Sequence, residues 1–314
     1  MSNLKAAVVQ AATISGNTPE TVKKVVDLIG ECAAQDVQLA VFPEAFVGGY
    51  PKGATFGANI GVRSVEGRDE YRAYYDHAIN VPGPETQRIG KAACDAHMFV
   101  VIGVMERDGG TLYCTALYFG PDGSLLGKHR KLMPTGTERL CWGFGDGSTL
   151  KTVETPWGPL GSVICWENYM PLLRQAMYSQ NIKLYCAPTA DSRETWVPTM
   201  RHIAMEGRCF VLSACQYMQR KDFQPDTYNA ITDDPDDVLL CGRSLIVDPL
   251  GNVLAGPDCD GETILTATLD MDEYARGKFD FDVVGHYSRS DILSLHVNEK
   301  PQTSVIWNKK DAVS

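Results

Sequence analysis

The segment Val163-Ile164-Cys165-Trp166-Glu167-Asn168 joins a short apolar run to a predicted helix. The run of residues 161–164 predicts a buried strand, and Cys165 follows it directly. From Asn168 the sequence predicts a helix, with Asn168 as its cap and Pro171 in its first turn. A thiol on such a strand-to-helix turn projects from the sheet towards the positive end of a helix, which favours the thiolate. The alternative is a buried structural cysteine, which composition alone favours.

The composition is that of an ordinary soluble globular protein. The chain has 314 residues, 44% of them apolar and 22% charged, enough for one large α/β domain. The formal net charge of −10 argues against nucleic acid and anionic membrane surfaces as partners. No apolar run approaches the roughly 18–20 residues of a membrane span. The N-terminus leads straight into a strand-like segment, so we expect no signal peptide.

The cysteine pattern predicts a reducing compartment. Ten cysteines are scattered along the chain, none in a Cys-x-x-Cys pair, and most lie within apolar runs. We therefore expect free thiols, no disulfide framework and a cytoplasmic protein. The histidines and cysteines do not cluster at the spacing of metal ligands, so we also expect no metal site.

Alternation of strands and helices predicts an α/β protein. Residues 4–10 and 37–43 read as strands, and residues 19–34 between them carry a helical apolar stripe. This βαβ unit implies parallel strands in one sheet. Residues 161–215 repeat the pattern without recognisable sequence identity.

The remaining chain contains a predicted hairpin and a predicted loop. The turn Pro121-Asp122-Gly123 separates two strand-like runs, and residues 218–240 are polar and acidic, which indicates a surface loop. Further strands are predicted at residues 149–154 and 159–165. No linker divides the chain, so we predict one domain, residues 1–297, and a C-terminal tail, residues 298–314.

Three chemically complementary side chains stand at or near predicted strand ends: Glu44, Lys131 and Cys165. In open α/β sheets, sites form beyond the carboxyl ends of strands. A carboxylate can accept the thiol proton, and an ammonium lowers the thiol pKa and stabilises negative charge on a substrate atom. Taken singly, Glu44 could cap a loop, and Lys131 could belong to a solvated basic run, residues 128–131.

The context of these residues resembles a known family. The blocks Phe42-Pro43-Glu44-Ala45-Phe46, His129-Arg130-Lys131-Leu132-Met133-Pro134-Thr135 and Cys165-Trp166-Glu167-Asn168-Tyr169-Met170-Pro171 are similar to the three signatures of the nitrilase, or carbon–nitrogen hydrolase, superfamily, in the family's order. The resemblance extends over residues 5–295. It implies a catalytic Glu44, Lys131 and Cys165, with Glu138 as the family's second glutamate.

Further segments resemble the nitrile-hydrolysing branch of that superfamily: residues 46–51, residues 142–147, Trp166, residues 201–208 and residues 285–289. Ser290 departs from the pattern, where a proline is expected. The resemblance implies a four-layer α-β-β-α sandwich with two central mixed sheets flanked by helices. It also implies a homodimer or higher homo-oligomer, formed through helices near Cys165, and no cofactor.

The expected reaction is hydrolysis of an organic nitrile to a carboxylic acid and ammonia, through a thioimidate and then a thioester on Cys165. From the residues alone, attack on an amide carbonyl is equally open, because the same thiolate, glutamate and lysine serve both. The alternatives are an aliphatic amidase or carbamoyl hydrolase, a cyanide-degrading enzyme, or a non-catalytic scaffold. Retention of Glu44, Lys131 and Cys165 argues against the scaffold.

We predict a pocket that suits an apolar nitrile. Aromatic residues at such positions are also frequent in cores. Two histidines, His202 and His286, are interpreted as structural. The predicted substrate-binding residues are Tyr50, Thr135, Trp142, Trp166, Thr189 and Trp196.

Overall fold

Strands and helices alternate along the chain in the computed structural model, which describes residues 3–223 and 231–306. The strands are β1 (Asn3–Gln10), β2 (Leu39–Val41), β3 (Phe99–Asp108), β4 (Thr111–Phe119), β5 (Leu125–Arg130), β6 (Leu160–Ser162), β7 (Leu184–Cys186), β8 (Phe210–Ser213), β9 (Tyr217–Gln219), β10 (Val238–Cys241), β11 (Leu245–Val247), β12 (Val253–Ala255) and β13 (Thr263–Asp270). The α-helices are α1 (Thr18–Ala33), α2 (Val65–His77), α3 (Pro84–Asp95), α4 (Pro171–Tyr178), α5 (Trp196–Gly207) and α6 (Asp272–Lys278).

Two mixed sheets form the centre of the molecule. The first has the strand order β13-β1-β2-β3-β4-β5, and the second has the order β12-β11-β8-β7-β6. The pairs β1–β2, β2–β3, β6–β7 and β7–β8 are parallel, and the outer pairs are antiparallel. A separate antiparallel ribbon pairs β9 with β10.

Alternation of apolar side chains along β1 explains the layers. Ala6 and Val8 point into a core between the two sheets, whereas Ala7 and Val9 pack against α1 and α3 on the outer face. On the far side of the second sheet, a third core packs β7, β8 and β11 against α4 and α5. The order helix, sheet, sheet, helix confirms the predicted four-layer α-β-β-α sandwich.

The strongest local sequence signals are confirmed. The unit β1-α1-β2 is a parallel βαβ unit, as its periodicity predicts, and β6-α4-β7 is a second one. The hairpin β4–β5 turns at residues 120–124, where Gly120 N–H donates to the Ser124 carbonyl at 2.9 Å.

Three local predictions are wrong. Asn168 does not cap a helix: residues 165–169 form a 3₁₀ helix, and α4 begins after Met170. Residues 149–154 form no strand beyond a single bridge from Val153 to Leu160. The predicted loop at residues 218–240 contains most of β9 and β10, because both strands bury one apolar residue, Met218 and Leu240 respectively.

Some predictions fall on residues outside the described part of the chain. These are residues 224–230 of the predicted loop and residues 307–314 of the predicted tail. Residues 298–306 are described, and Gln302 N–H donates to the Asp146 carboxylate at 2.8 Å. Within residues 3–223 and 231–306, no helix combines the length and the apolar character that crossing a bilayer requires.

Candidate active site

Cys165 stands at the turn between the second sheet and its outer helices. It follows β6 by three residues and opens the 3₁₀ helix of residues 165–169. Its backbone N–H donates to the carbonyl of Pro188 at 2.9 Å. Its φ of 52° lies in the left-handed region, where a residue with a side chain is strained by about 1–3 kcal/mol. Such strain is held by the surrounding fold and here aims the thiol at a cleft.

The cleft that reaches Cys165 has a volume of about 210 Å³. Its walls come from both sheets, so it lies at the seam of the sandwich. Acidic, basic and aromatic side chains share its lining. The lining residues are Tyr50, Lys52, Thr135, Glu138, Cys165, Trp166, Ala190, Asp191, Ser192, Arg193 and Leu240.

Glu44 follows β2 and is fully buried beneath this seam. Its loop lies directly on Gly103 of β3, where a Cβ atom would stand 2.3 Å from the carbonyl oxygen of Pro43 and 2.7 Å from Cα of Glu44. Only glycine admits this approach. The Glu44 carbonyl also accepts a hydrogen bond from Gln216 Nε2 at 3.0 Å. The backbone around the carboxylate is therefore fixed from two sides.

Lys131 joins two carboxylates in the interior. Its Nζ donates to Oε1 of Glu44 at 2.7 Å and to Oε2 of Glu138 at 2.8 Å. Glu138 is held further by the Tyr50 hydroxyl, which donates to Oε1 at 2.8 Å, and by the Thr135 N–H, which donates to Oε2 at 2.6 Å. The sequence-predicted residues Glu44, Lys131 and Glu138 thus form one hydrogen-bonded cluster.

The two oxygens of Glu44 differ in their contacts. Oε1 accepts from Lys131 and, at 3.5 Å, from the Cys114 thiol. Oε2 is buried and has no hydrogen-bond partner of good geometry among residues 3–223 and 231–306. Burial raises the pKa of the Glu44 carboxylate, and a contact with the Cys165 thiol offsets part of that rise. A buried oxygen without a donor beside a thiol is suited to accept its proton.

Burial shifts the pKa values of Cys165, Glu44 and Lys131. Burial raises the pKa of the Cys165 thiol, the charge of Glu44 raises it further, and Lys131 opposes both. Burial likewise raises the pKa of Glu44, against the opposing effect of Lys131. Burial alone would lower the pKa of Lys131, but the neighbouring negative groups, Glu44 foremost, hold it well above its usual value. The expectation of a lowered thiol pKa is therefore wrong, because desolvation and a carboxylate outweigh the ammonium.

Trp166 forms part of the cleft wall with two charged residues that the sequence prediction omitted. Its Nε1 donates to Oδ2 of Asp191 at 2.8 Å, and the Arg193 guanidinium lies 4.8 Å from its ring centroid. The Arg193 guanidinium donates two hydrogen bonds to the Asp191 carboxylate, of 2.8 and 2.5 Å, and the Arg193 backbone N–H donates a third at 3.0 Å. Asp191 lies five residues after the end of β7, and this position beyond a strand end is the signal that could have identified this wall.

The predicted pocket residues separate into two groups. Tyr50, Thr135 and Trp166 line the cleft, whereas Trp142, Thr189 and Trp196 are absent from the lining that the structure describes. Trp142 lies behind the cluster, with its ring centroid 5.2 Å from Lys131 Nζ. Thr189 is buried and forms a hydrogen bond that lowers the pKa of the Cys165 thiol.

Trp196 is a correction to the prediction. It is fully buried in the core between the second sheet and its helices, and its Nε1 donates to Oγ of Ser213 at 2.9 Å. A tryptophan at the start of α5 faces the sheet because the helix packs on it at this point. It supports the wall only indirectly, through Tyr169, whose ring centroid lies 6.0 Å away.

The described residues, 3–223 and 231–306, contain no group of three or more His, Cys, Asp or Glu side chains placed to hold a metal ion. The ten cysteines, all within these ranges, are free thiols.

The sequence is similar to those of several known proteins over nearly its whole length. The chain is 63% identical to an aliphatic nitrilase from Sinorhizobium fredii, over 98% of this chain and 99% of the relative. It is 53% identical to a bifunctional nitrilase/nitrile hydratase from Lupinus angustifolius, over 97% of this chain and 88% of the relative. It is 52% identical to nitrilase 2 of Arabidopsis thaliana, over 98% and 92% of the two chains.

Solved structures show the same fold. A carbon–nitrogen hydrolase from Helicobacter pylori superposes with a TM-score of 0.69 at 20% identity, over 88% of this chain and 92% of that chain. At this identity the likeness concerns the fold alone. Residues 5–279 match the family described as carbon–nitrogen hydrolase. The family that the signature blocks predicted is confirmed: the chain belongs to the carbon–nitrogen hydrolase family.

Proposed function

We propose that this chain is a nitrilase, which converts an organic nitrile and two water molecules into a carboxylic acid and ammonia. The choice of nitrile over amide is supported by the full-length relatives, which are named nitrilases at 52–63% identity. The observation that carries the chemistry is the buried Glu44–Lys131–Glu138 cluster, which meets Cys165 at the cleft.

Glu44 acts first as a general base in this proposal. Its Oε2 takes the Cys165 proton while the sulfur attacks the nitrile carbon, and the proton passes to the nitrogen. The product is a neutral thioimidate bonded to Cys165. Lys131 Nζ and the N–H groups around Trp166 stabilise the negative charge that develops on nitrogen. The thiolate exists only during the attack, which suits a thiol whose resting pKa is raised.

Water then adds to the thioimidate. Glu44 removes the water proton, and Glu138, held by Tyr50 and Lys131, orients the water. The tetrahedral adduct expels ammonia and leaves a thioester on Cys165. A second water, activated in the same way, releases the acid and restores the thiol.

The tetrahedral adduct has a second exit. If the carbon–sulfur bond breaks before the carbon–nitrogen bond, the product is the amide and one water is consumed. The Lupinus angustifolius relative is named for both activities, nitrilase and nitrile hydratase. We therefore propose acid as the main product and amide as a minor one.

A substrate panel tests this proposal. Purified protein is given benzonitrile, phenylacetonitrile, an aliphatic dinitrile, cyanide and the matched amides, and ammonia, acid and amide are measured separately. We expect the nitriles to be hydrolysed faster than their amides, with acid in excess. Faster hydrolysis of the amides would make the protein an amidase, and amide as the main product would make it a nitrile hydratase.

We further propose a homodimer or higher homo-oligomer, assembled through α4 and α5. Leu172 on α4, the helix that follows the 3₁₀ helix of Cys165, and Met205 on α5 expose apolar side chains on the outer layer. Light scattering after gel filtration measures the assembly, and Leu172→Glu with Met205→Glu should reduce its mass. A monomeric wild type would contradict this proposal.

Two wider assignments complete the proposal. The ten free thiols support a cytoplasmic location, because reducing conditions preserve them.

We also propose that residues 1–297 form one domain and residues 298–314 a tail. Limited proteolysis should remove tail peptides first and leave a stable core. Cuts that divide residues 1–297 into two stable halves would contradict the single domain.

A further inference from the structure

Glu167 connects the backbone segments that carry Lys131 and Cys165. Its Oε1 accepts a hydrogen bond from the N–H of Leu132 at 2.6 Å, and its Oε2 accepts one from the N–H of Ile164 at 2.9 Å. Leu132 directly follows Lys131, and Ile164 directly precedes Cys165. One carboxylate therefore holds both neighbours of the two reactive side chains.

This connection crosses the central seam of the sandwich. Lys131 follows β5, an edge strand of the first sheet, whereas Cys165 follows β6, an edge strand of the second. No ladder of backbone hydrogen bonds joins β5 to β6. The Glu167 side chain is completely buried, and His129 Nε2 lies 3.0 Å from its Oε2 as a third partner. Charge-assisted bonds of this kind are short and strong, so they fix geometry well.

We propose that Glu167 is a positioning residue that sets the placement of the Lys131 ammonium relative to the Cys165 thiol. The inference rests on the proposed function for its consequence in catalysis. Glu167 does not line the described cleft, so it acts through backbone and not on the substrate. Displacement of reacting groups by about 1 Å can cost about 100-fold in rate. Loss of one anchor should therefore reduce the rate of attack more than it affects substrate binding.

Glu167→Gln tests this assignment. The glutamine has one acceptor oxygen in place of two, and its NH₂ group would face one of the two backbone N–H donors. We expect kcat to fall about 10- to 100-fold and KM to stay within about threefold. The rate at which iodoacetamide alkylates Cys165 should change as well, and this measurement needs no substrate. An unchanged alkylation rate would count against the positioning role of Glu167, whether or not the protein hydrolyses nitriles.

Glu106→Gln is the matched control. Glu106 is equally buried in the first sheet and binds Lys128, Arg130 and Thr115. In the described part of the chain, its carboxylate forms no hydrogen bond to Leu132 or Ile164, so its loss should affect stability without a selective change in kcat. Equal kcat losses in both variants would overturn the proposal.

Glu167→Asp supplies a second variant if the glutamine variant does not fold. It retains the charge but is one methylene too short to reach both N–H groups. The same fall in kcat and the same change in Cys165 alkylation are expected. Wild-type kcat in a folded Glu167→Asp variant, or a rise in KM alone, would overturn the assignment.

A second, independent observation concerns two cysteines outside the catalytic cluster. Sγ of Cys259 lies 3.2 Å from Sγ of Cys241, and both residues are partly exposed. Burial foremost, and then the Cys241 thiol, raise the pKa of Cys259 to about 11. The two sulfur atoms are already in contact, so little backbone movement is needed to join them.

This pair touches the wall of the cleft. The Cys241 thiol contacts the carbonyl oxygen of Ser192 at 3.5 Å, and Leu240 precedes Cys241. Ser192 and Leu240 both line the cleft. The pair is therefore in direct contact with a residue of the cleft wall. Oxidation of Cys241 removes the proton that this contact uses.

We infer that Cys241 and Cys259 are a reversible disulfide site whose oxidation alters substrate binding at the proposed nitrile-hydrolysing cleft. With glutathione disulfide as the oxidant, one cysteine thiolate forms a mixed disulfide and releases one glutathione. The second thiolate displaces the other glutathione and closes the Cys241–Cys259 bond. Two thiol protons leave the protein, and the oxidant is reduced to two glutathione thiols.

Peptide mapping without reductant tests this site. After equilibration with glutathione disulfide, we expect a Cys241–Cys259 cross-linked peptide and a KM raised at least about threefold, both reversed by dithiothreitol. Cys259→Ser should lose both responses, whereas Cys94→Ser, a half-buried cysteine on α3, should keep them. Absence of the linked peptide overturns the site. A linked peptide with unchanged KM, or an equal loss of activity in Cys259→Ser, overturns its connection to the cleft. If no nitrile is turned over, the linked peptide still tests the disulfide alone.

Discussion

Oε1 of Glu44 lies 2.7 Å from Nζ of Lys131, and both side chains are completely shielded from solvent. Glu138 adds a second carboxylate to the same ammonium. The cluster therefore carries one negative charge in excess when both carboxylates are ionised, and a thiolate would add another. Burial foremost, and then this excess of negative charge, raise the pKa of the Cys165 thiol, which favours its protonated form. In the proposed mechanism, this thiol gives up its proton when the substrate supplies an acceptor.

Removal of the central cation should destabilise the fold as well as the chemistry. In Lys131→Met, Glu44 and Glu138 remain buried without a counter-charge. We expect the free energy of unfolding to fall by on the order of 3–5 kcal/mol and nitrile hydrolysis to be lost. Urea unfolding and steady-state rates measure the two effects. Lys91→Met, which removes a lysine from an exposed pair with Asp95, should leave the unfolding midpoint nearly unchanged.

Alkylation of Cys165 should increase continuously with pH. The thiol pKa is raised above its ordinary value of 9.0, so the thiolate fraction is small near neutral pH and grows through the alkaline range. Iodoacetamide alkylation, followed by mass spectrometry of the Cys165 peptide, measures this rate. A plateau below about pH 8 would show a depressed pKa and contradict the described electrostatics.

The Tyr50 hydroxyl should matter through Glu138. In Tyr50→Phe, Oε1 of Glu138 loses its 2.8 Å hydrogen bond, while Oε2 keeps Lys131 and Thr135. A hydrogen bond to a charged group contributes about 1.5–3 kcal/mol, so kcat/KM should fall by about tenfold or more. Tyr75→Phe, which removes a hydroxyl bonded to Gly109 at the surface, is the control. Equal kinetics of both variants would exclude this role of Tyr50.

Trp166 and Trp196 should respond to substitution in opposite ways. Trp196→Phe loses a buried hydrogen bond and core volume, so we expect about 1–3 kcal/mol less stability with kcat nearly unchanged. Trp166 is 41% exposed and lines the cleft. Trp166→Phe should change KM and leave stability nearly intact. Thermal unfolding and steady-state kinetics of both variants measure these effects. A change of KM in Trp196→Phe but not in Trp166→Phe would contradict the assignment of Trp196 to the core and Trp166 to the cleft.

The sequence predicts the fold well where one signal dominates. The apolar alternation of β1, the helical stripe of α1 and the turn at Pro121-Asp122-Gly123 are local and strong, and all three elements are found. The positive φ of Cys165 and the 3₁₀ helix after it depend on contacts made across the fold, such as the bond to the Pro188 carbonyl. Local propensity carries no information about these contacts.

In the candidate site, too, the sequence predicts which residues take part but not the surroundings that the fold gives them. Strand ends and the family resemblance predict Glu44, Lys131 and Cys165 as site residues, but the pKa values of these side chains depend on burial that the sequence does not display. Trp166 and Trp196 have similar local sequence signals, yet one faces the cleft and the other the core. The direction of α5 relative to the sheet decides this difference. Across the seam, Glu167 contacts Leu132 and His129, and each of them lies more than thirty positions from Glu167 in the sequence.

The most direct test of the account is acid formation from a nitrile by Cys165→Ala, with the fold verified by circular dichroism. Because both proposed covalent intermediates, the thioimidate and the thioester, are bonded to the Cys165 sulfur, we expect the rate to fall at least about 10⁴-fold, with the wild-type spectrum retained. A folded Cys165→Ala protein that forms acid at a rate near that of the wild type would contradict the account.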